Sequence, residues 1–245
     1  MPKTKNTAKR LQRKVAVITG GSKGIGKAIA LSLASEGCDV VITARREDEL
    51  KKAEKEIAAK GAHVLAVKAD VRRPPEVDQL VRKVARTFGG VQILVNNAGV
   101  GFFDEVVRMP DEDFRVTLET NLFGAFYCTK AFLPFMIERK EGHIIQIASL
   151  AGKNTFARGA AYCASKHGLI AFAECLMLEV RQHNIKVTTI CPGTVQTEFG
   201  SGDAKEKSWA LTADDVAKSV LDVLTSSGGS IVSMVDLRPL KPQRH

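Results

Sequence analysis

The sequence predicts an α/β protein built on an open, mostly parallel sheet with helices on both faces. Two observations carry that prediction. Short apolar runs alternate with longer stretches of helical periodicity, and a glycine-rich turn separates the first run from the first helix. Most of the runs are continuously apolar, the pattern of strands covered on both faces. Strand–helix alternation of this kind builds parallel sheets through crossover connections.

The first strand is VAVIT (15–19). The helix that follows, KGIGKAIALSLASEG, puts Ile25, Ile29 and Leu33 on one stripe and stops at Gly37, a C-terminal cap. DVVITA (39–44) is the second strand. After it, EDELKKAEKEIAAKG is strongly helical, pairs Glu47 with Lys51 at i,i+4 and again ends on glycine. Strands are expected at HVLAVKA (63–69), ILVNN (93–97), HIIQIA (143–148), KVTTIC (186–191) and SIVSMVDL (230–237), with helices over 74–88, 111–140, 160–183 and 213–226. Pro134 should kink or interrupt the helix over 111–140. No linker, repeat or change of composition divides the chain. One domain over residues 14–240 is expected, preceded by a basic, flexible tail over 1–13.

Composition narrows the function classes. With 44% hydrophobic and 26% charged residues the chain reads as an ordinary soluble globular protein. No apolar run approaches the roughly 20 residues of a membrane span. Nothing at the N-terminus resembles the apolar core of a secretion signal, so a cytoplasmic protein without a membrane partner is expected. Cys38, Cys128, Cys163, Cys175 and Cys191 are scattered and read as small buried apolar residues, with no metal site. The net charge of +9 is concentrated at the start, where residues 1–14 hold six Lys/Arg and no acid and leave +3 for the remainder. A tail of this kind is expected to be solvated, without a specific nucleic-acid partner.

The turn TGGSKGIG follows the first strand and opens a helix, the context in which backbone amides and a positive helix end suit a pyrophosphate. Gly20, Ser22, Lys23, Gly24, Ile25 and Gly26 are its candidate ligands, although the glycines are spaced G-x-x-x-G-x-G rather than G-x-G-x-x-G. Taken alone, the turn is also readable as a tight strand-to-helix connection. The second strand ends TARR, with Arg45 and Arg46 where a site selective for NAD places an acid. Arginines attract a 2′-phosphate and Lys23 adds a further positive charge, so NADP(H) is expected over NAD(H). The same two arginines are also readable as solvated surface residues.

In AAYCASKHG, Tyr162 and Lys166 share one helix face. A phenol titrates near 10, and bringing it to about 7 takes roughly 4 kcal/mol in favour of phenolate. A neighbouring ammonium in a partly dry cleft supplies much of that. Ser149 ends the strand HIIQIAS at the ligand-binding edge of the sheet, where a hydroxyl can meet a carbonyl. Each signal is weak by itself, since such pairs occur on helix surfaces and such serines in turns.

Together and in order, TGGSKGIG, ADV (69–71), NNAG (96–99), Asn121, Ser149, YCASK (162–166) and PGTVQT (192–197) resemble the short-chain dehydrogenase/reductase family, over residues 13–237. In that family the glycine turn has the G-x-x-x-G-x-G spacing. The resemblance implies a Rossmann-type, doubly wound sheet of about seven strands in the order 3-2-1-4-5-6-7. It also implies NADP(H)-dependent interconversion of a carbonyl and an alcohol on a small-molecule substrate. Tyr162 would exchange the proton, Lys166 lower its pKa and hold the nicotinamide ribose, Ser149 polarise the carbonyl, and Asn121 position a water in a proton relay. Asp70 and Val71 would lie at the adenine, Asn97, Ala98 and Gly99 on the adenosine side, and Pro192, Gly193, Val195 and Thr197 around the nicotinamide.

The resemblance further implies a homodimer or homotetramer, joined through the helices over 111–140 and 160–183, where Phe114, Phe123, Phe126 and Phe132 supply apolar surface. Substrate is expected to meet loops 100–104, 150–158 and 194–210, with Phe102, Phe103, Phe156, Phe199 and Trp209 among their residues and only a small lid. Two alternatives accompany this reading. A 3-oxoacyl-thioester reductase would meet its acidic carrier through Lys140 and through His183, which replaces an arginine. A catalytically silent NADPH-binding regulator would bind cofactor without turnover. The C-terminal VDLRPLKPQRH departs from the Asp-Gly-Gly of many relatives.

Overall fold

A computed structural model describes residues 9–197, 199, 209–226 and 228–241. Its strands are β1 (Val15–Thr19), β2 (Asp39–Ala44), β3 (Val64–Lys68), β4 (Ile93–Asn96), β5 (Gly142–Ile147), β6 (Ile185–Pro192) and β7 (Met234–Leu237). They form one sheet in the order β3-β2-β1-β4-β5-β6-β7. Every pairing is parallel, with Val17 opposite both Val41 and Leu94, and Asn96 opposite Gln146. The helices are α1 (Gly24–Ser35), α2 (Glu47–Ala58), α3 (Pro74–Phe88), α4 (Asp111–Leu118), α5 (Gly124–Arg139), α6 (Ala160–Val180) and α7 (Ala213–Leu224).

Successive strand residues point to opposite faces, so each strand feeds two cores. Ile18, Ile42, Val95, Ile145 and Ile190 meet Ile29 and Leu33 of α1, Leu50 and Ile57 of α2, and Val216 and Val220 of α7. Their neighbours Val17, Val41, Leu94, Ile144 and Val187 meet Leu80 of α3, Phe132 and Met136 of α5, and Leu176 of α6. The expected double winding is therefore present, and the strand order reverses between β1 and β4, where ligands settle in such sheets.

Several elements differ from the sequence reading. The helix over 111–140 is broken into α4 and α5 by a π-helical turn, Glu119–Phe123. Pro134, the expected break, lies inside α5 without ending it. Phe132 and Met136, buried on either side of the proline, hold that stretch to the sheet. The strand expected over 230–237 pairs only from Met234. Upstream of it Val232 is held by the Thr188 hydroxyl, which donates to its carbonyl at 2.6 Å, in place of a continuous ladder. Cys175 is exposed, unlike the other four cysteines. Phe132 belongs to the core, whereas Phe114, Phe123 and Phe126 are exposed.

Of the basic tail, residues 1–8 lie outside the described residues, but the next few are docked. Leu11 is buried, its amide donates to Glu36 O at 3.1 Å, and Arg10 pairs with the Glu36 carboxylate at 3.1 Å. One apolar residue among the charges is enough to anchor this segment beside the start of β1.

Helix α1 lies close on the turn before it because Gly26 has no side chain. A Cβ at this position would stand 2.3 Å from the Gly20 carbonyl oxygen and 2.5 Å from the Asn97 amide nitrogen. Gly26→Ala should force the helix outward and destabilise the protein by about 1–3 kcal/mol, read as a lower urea midpoint. An unchanged midpoint would show that the contact relaxes without cost.

Candidate active site

A cleft of about 1540 Å³ opens beyond the C-terminal ends of the strands. Every cofactor-binding candidate named above except Gly26 lines it, as do Ser149, Tyr162 and Lys166. Gly26 lies beneath the turn, and Asn121 is buried behind the wall with 1% exposure.

The glycine turn is built from two directions. Gly20 and Gly24 take φ of 65° and 54°, backbone angles that L side chains rarely adopt. From β4, the Asn97 amide donates to Thr19 O at 2.9 Å and to Gly20 O at 3.2 Å. In return the Thr19 hydroxyl accepts the Asn97 and Ala98 backbone amides, both at 3.0 Å. Helix α1 starts at this turn with no side-chain cap and no acid in its first turn. Its first amides and the positive end of its dipole thus remain for an anion. A backbone without obstructing side chains, uncapped helix amides and flanking cations fit a dinucleotide pyrophosphate.

At the end of β2 the cations are partly engaged. Arg46 Nη1 lies 3.2 Å from Glu49 Oε1, and Lys23 Nζ lies 4.0 Å from the same oxygen. Arg45 makes no ion pair among the described residues. Asp70 is held by Arg72, whose Nη2 stands 2.6 Å from Oδ2. Burial alone raises the Asp70 carboxyl, but the hydrogen bonds and charge of Arg72 outweigh it and keep the group below its ordinary value. Val71 packs against the position of Gly124. Thr43 and Thr120 line the cleft with buried hydroxyls that have no partner among the described residues.

On the other side of the cleft α6 carries Tyr162 and Lys166 one turn apart, facing the end of β5. Lys166 Nζ donates to Ile147 O at 2.8 Å and sits 5.8 Å from the centre of the Tyr162 ring. Ser149 Oγ accepts the Ala151 amide at 3.1 Å, donates to Pro192 O at 3.4 Å, and lies near enough to the Tyr162 phenol to lower its pKa. Asn121 stands in the π turn, where the extra residue swings its side chain inward. Its Oδ1 accepts the Val100 amide at 2.8 Å, and its Nδ2 donates to Val100 O and to Ser165 Oγ, both at 2.9 Å. Ser165 then donates to Tyr162 O at 2.7 Å, so this amide ties the loop after β4 to the helix of the tyrosine.

Burial bears on the protonation of Tyr162 and Lys166. It pushes the Tyr162 phenol up to about 12, with the Ser149 hydroxyl offsetting part of the rise. Burial likewise pushes the Lys166 ammonium down to about 8. Desolvation is the largest cause of both shifts, since it disfavours the charged form of each group.

The far wall is aromatic. Phe103 and Phe199 each approach the Tyr162 ring at 5.6 Å between centres, and Phe103 meets Phe156 at 6.0 Å. Phe102 and Trp209 line the same space. In the loop expected to form the lid, residues 198 and 200–208 lie outside the described residues. Sequence reasoning missed Glu49, Thr43, Thr120 and Arg238, all of which line the cleft. Arg238 follows β7, where the Gly193 amide donates to Leu237 O at 2.8 Å. The departure from the usual C-terminal turn was its only signal. Lys140 and His183 precede β5 and β6, at the strand ends away from the cleft, with Asn184 Nδ2 donating to Lys140 O at 2.9 Å.

A doubly wound sheet with a glycine-rich first turn and a Ser–Tyr–Lys cluster at its switch point defines the class of nicotinamide-type oxidoreductase folds. The short chain dehydrogenase family matches residues 14–208, and the chain belongs to that family. A dehydrogenase/reductase SDR family protein 7-like of Anopheles gambiae is 37% identical over 236 residues, covering 94% of this chain and 72% of the relative. The crystal structure of a metagenomic short-chain oxidoreductase in complex with NADP has a TM-score of 0.85 at 38% identity, covering 95% of this chain and 100% of that one. An NAD+-bound xylitol dehydrogenase has a TM-score of 0.85 at 29% identity, covering 94% and 99%. Among the described residues no helix is long and apolar enough to cross a membrane.

The buried lysine makes stability depend on pH in a defined sense. Lys166 titrates near 8 in the folded protein against 10.5 ordinarily, so between these values the unfolded chain binds more protons and the unfolding free energy rises with pH. Cys38 and Cys128, both pushed up to about 12 by burial, act with the opposite sign. The expected observation is therefore a difference. Wild type should gain up to roughly 3 kcal/mol relative to Lys166→Met as pH rises across that window in denaturant titrations. Parallel curves would show that Lys166 keeps its ordinary pKa.

Proposed function

We propose that this protein is an NADP(H)-dependent reductase of ketones or aldehydes, running in reverse as an alcohol dehydrogenase. The observation that carries the reading is the meeting of Ser149, Tyr162 and Lys166 in one cleft with the uncapped glycine turn and the cations after β2. When bound, the nicotinamide cofactor donates the hydride to the carbonyl carbon or takes it from the alcohol.

The chain's own residues do the rest. Ser149 hydrogen-bonds the carbonyl oxygen and sets its distance from Tyr162, whose hydroxyl delivers the proton to that oxygen in reduction and accepts it in oxidation. Burial keeps the phenol protonated, so the proton that reduction consumes is in place, and the positive charge of Lys166 lowers the pKa at which it is given up. Lys166 holds the ribose hydroxyls, and Asn121 keeps Val100 and the tyrosine helix in register through Ser165. Gly20, Ser22, Gly24 and Ile25 cradle the pyrophosphate, while Pro192, Gly193, Val195 and Thr197 enclose the nicotinamide. Asp70 and Val71 face the adenine beside Ala98 and Gly99, and Arg45 with Lys23 and Arg46 receives the 2′-phosphate.

The aromatic wall around Tyr162 favours a substrate with an apolar or aromatic body next to its carbonyl. The carrier-bound thioester reading is disfavoured within one chain, because Lys140 and His183 lie at the strand ends opposite the cleft. Exposed Phe123 and Phe126 on the helix pair after β4 support assembly into a homodimer.

Tyr162→Phe should lower turnover in a panel of apolar ketones and aldehydes by about 10²- to 10⁴-fold while NADPH still binds. Substantial residual turnover would displace Tyr162 as the acid, and a panel without turnover in wild type would favour a silent NADPH-binding regulator. Arg45→Asp should reduce the preference for NADPH over NADH by about tenfold or more, measured as the ratio of kcat/KM values. An unchanged ratio would make Arg45 a bystander.

A further inference from the structure

We propose that Glu49 is a specificity-determining residue. Its carboxylate occupies two of the cations that would receive a 2′-phosphate, and so restrains the preference for NADP(H) and keeps NAD(H) usable. The inference rests on the NADP(H) reading above and concerns the same end of the cleft.

Glu49 is the third residue of α2 and, with Lys23, Arg45 and Arg46, lines the cleft. Its Oε1 lies 3.2 Å from Arg46 Nη1 and 4.0 Å from Lys23 Nζ. With a side-chain exposure of 25%, against 66% for Arg46 and 56% for Lys23, Glu49 is the sheltered member of the group. The two long cations reach towards it across the cleft wall, and Arg46 also stands 3.7 Å from Asp48 Oδ2.

A phosphate ester carrying close to two negative charges entering this end must share Arg46 and Lys23 with the carboxylate or take them from it. Either course costs affinity, because a like charge remains within a few ångströms in a partly screened wall. A ribose 2′-hydroxyl meets no such penalty, and it can donate a hydrogen bond to a carboxylate, the chemistry by which acids near the end of a second strand recognise NAD. Glu49 thus acts in opposite directions on the two cofactors. Arg45, which has no ion pair among the described residues, is the cation that meets the phosphate without first leaving an acid.

The test is calorimetric binding of NADPH, NADH, 2′-AMP and 5′-AMP to wild type, Glu49→Gln and Glu49→Ala, each first checked for native circular dichroism. Both variants should bind NADPH and 2′-AMP about threefold to fivefold more tightly than wild type at low salt, and NADH and 5′-AMP more weakly. The gain should shrink in 0.5 M salt, where the Debye length falls to about 4 Å from roughly 10 Å at 0.1 M. A wild type that prefers NADPH, with affinities that do not move in either variant, would overturn the role of Glu49 and leave the NADP(H) reading standing. Wild type and variants that all bind NADH but neither NADPH nor 2′-AMP would overturn both.

Discussion

Thr19 and Asn97 tie the ends of β1 and β4 together, and the rest of the site depends on that tie. These strands are neighbours where the sheet changes direction, so their carboxyl ends diverge into helices on opposite faces and leave a crevice between them. One threonine hydroxyl accepts two backbone amides, while one asparagine amide holds two carbonyls of the glycine turn. Buried backbone groups that secondary structure cannot satisfy are thereby paired. The crevice keeps a fixed width, the glycine turn keeps its left-handed angles, and α1 can begin with its amides facing the opening.

A second set of constraints runs from the other wall. Asn121 spends its whole amide on Val100 and Ser165, so the π turn, the loop after β4 and the tyrosine helix move as one piece. Tyr162 and Lys166 are then packed in a region dry enough to push the phenol up and the ammonium down. The same burial that fixes their geometry opposes charge on either of them. Rigidity and proton affinity are here two results of one packing arrangement.

What was legible in the sequence follows the range of the forces involved. Seven short, mostly apolar runs and the glycine turn are local signals, and the family resemblance built on them implied the strand order and the end of the cleft at the glycine turn. The Tyr162–Lys166 spacing was legible for the same reason, since one helical turn fixes it. The π turn was not, because its extra residue is held by partners from β4 and α6. Pro134 does not interrupt α5, since local propensity counts the lost amide and not the burial of Phe132 and Met136 around it. Nothing local marks Glu49, because only folding brings Lys23, from a different loop, to the same oxygen that Arg46 meets.

Leu11 gives the molecule a polarity that the chemistry does not require. It is buried beside Glu36 and Cys38, at the amino ends of the strands, whereas the cleft opens at their carboxyl ends. β1 lies between the two, five residues and roughly 17 Å long. Lys9 and Arg10, the described basic residues before Leu11, therefore sit at the back of the protein, beside Gly37 and Glu36. The charge at that end and the contents of the cleft are thus free to vary independently.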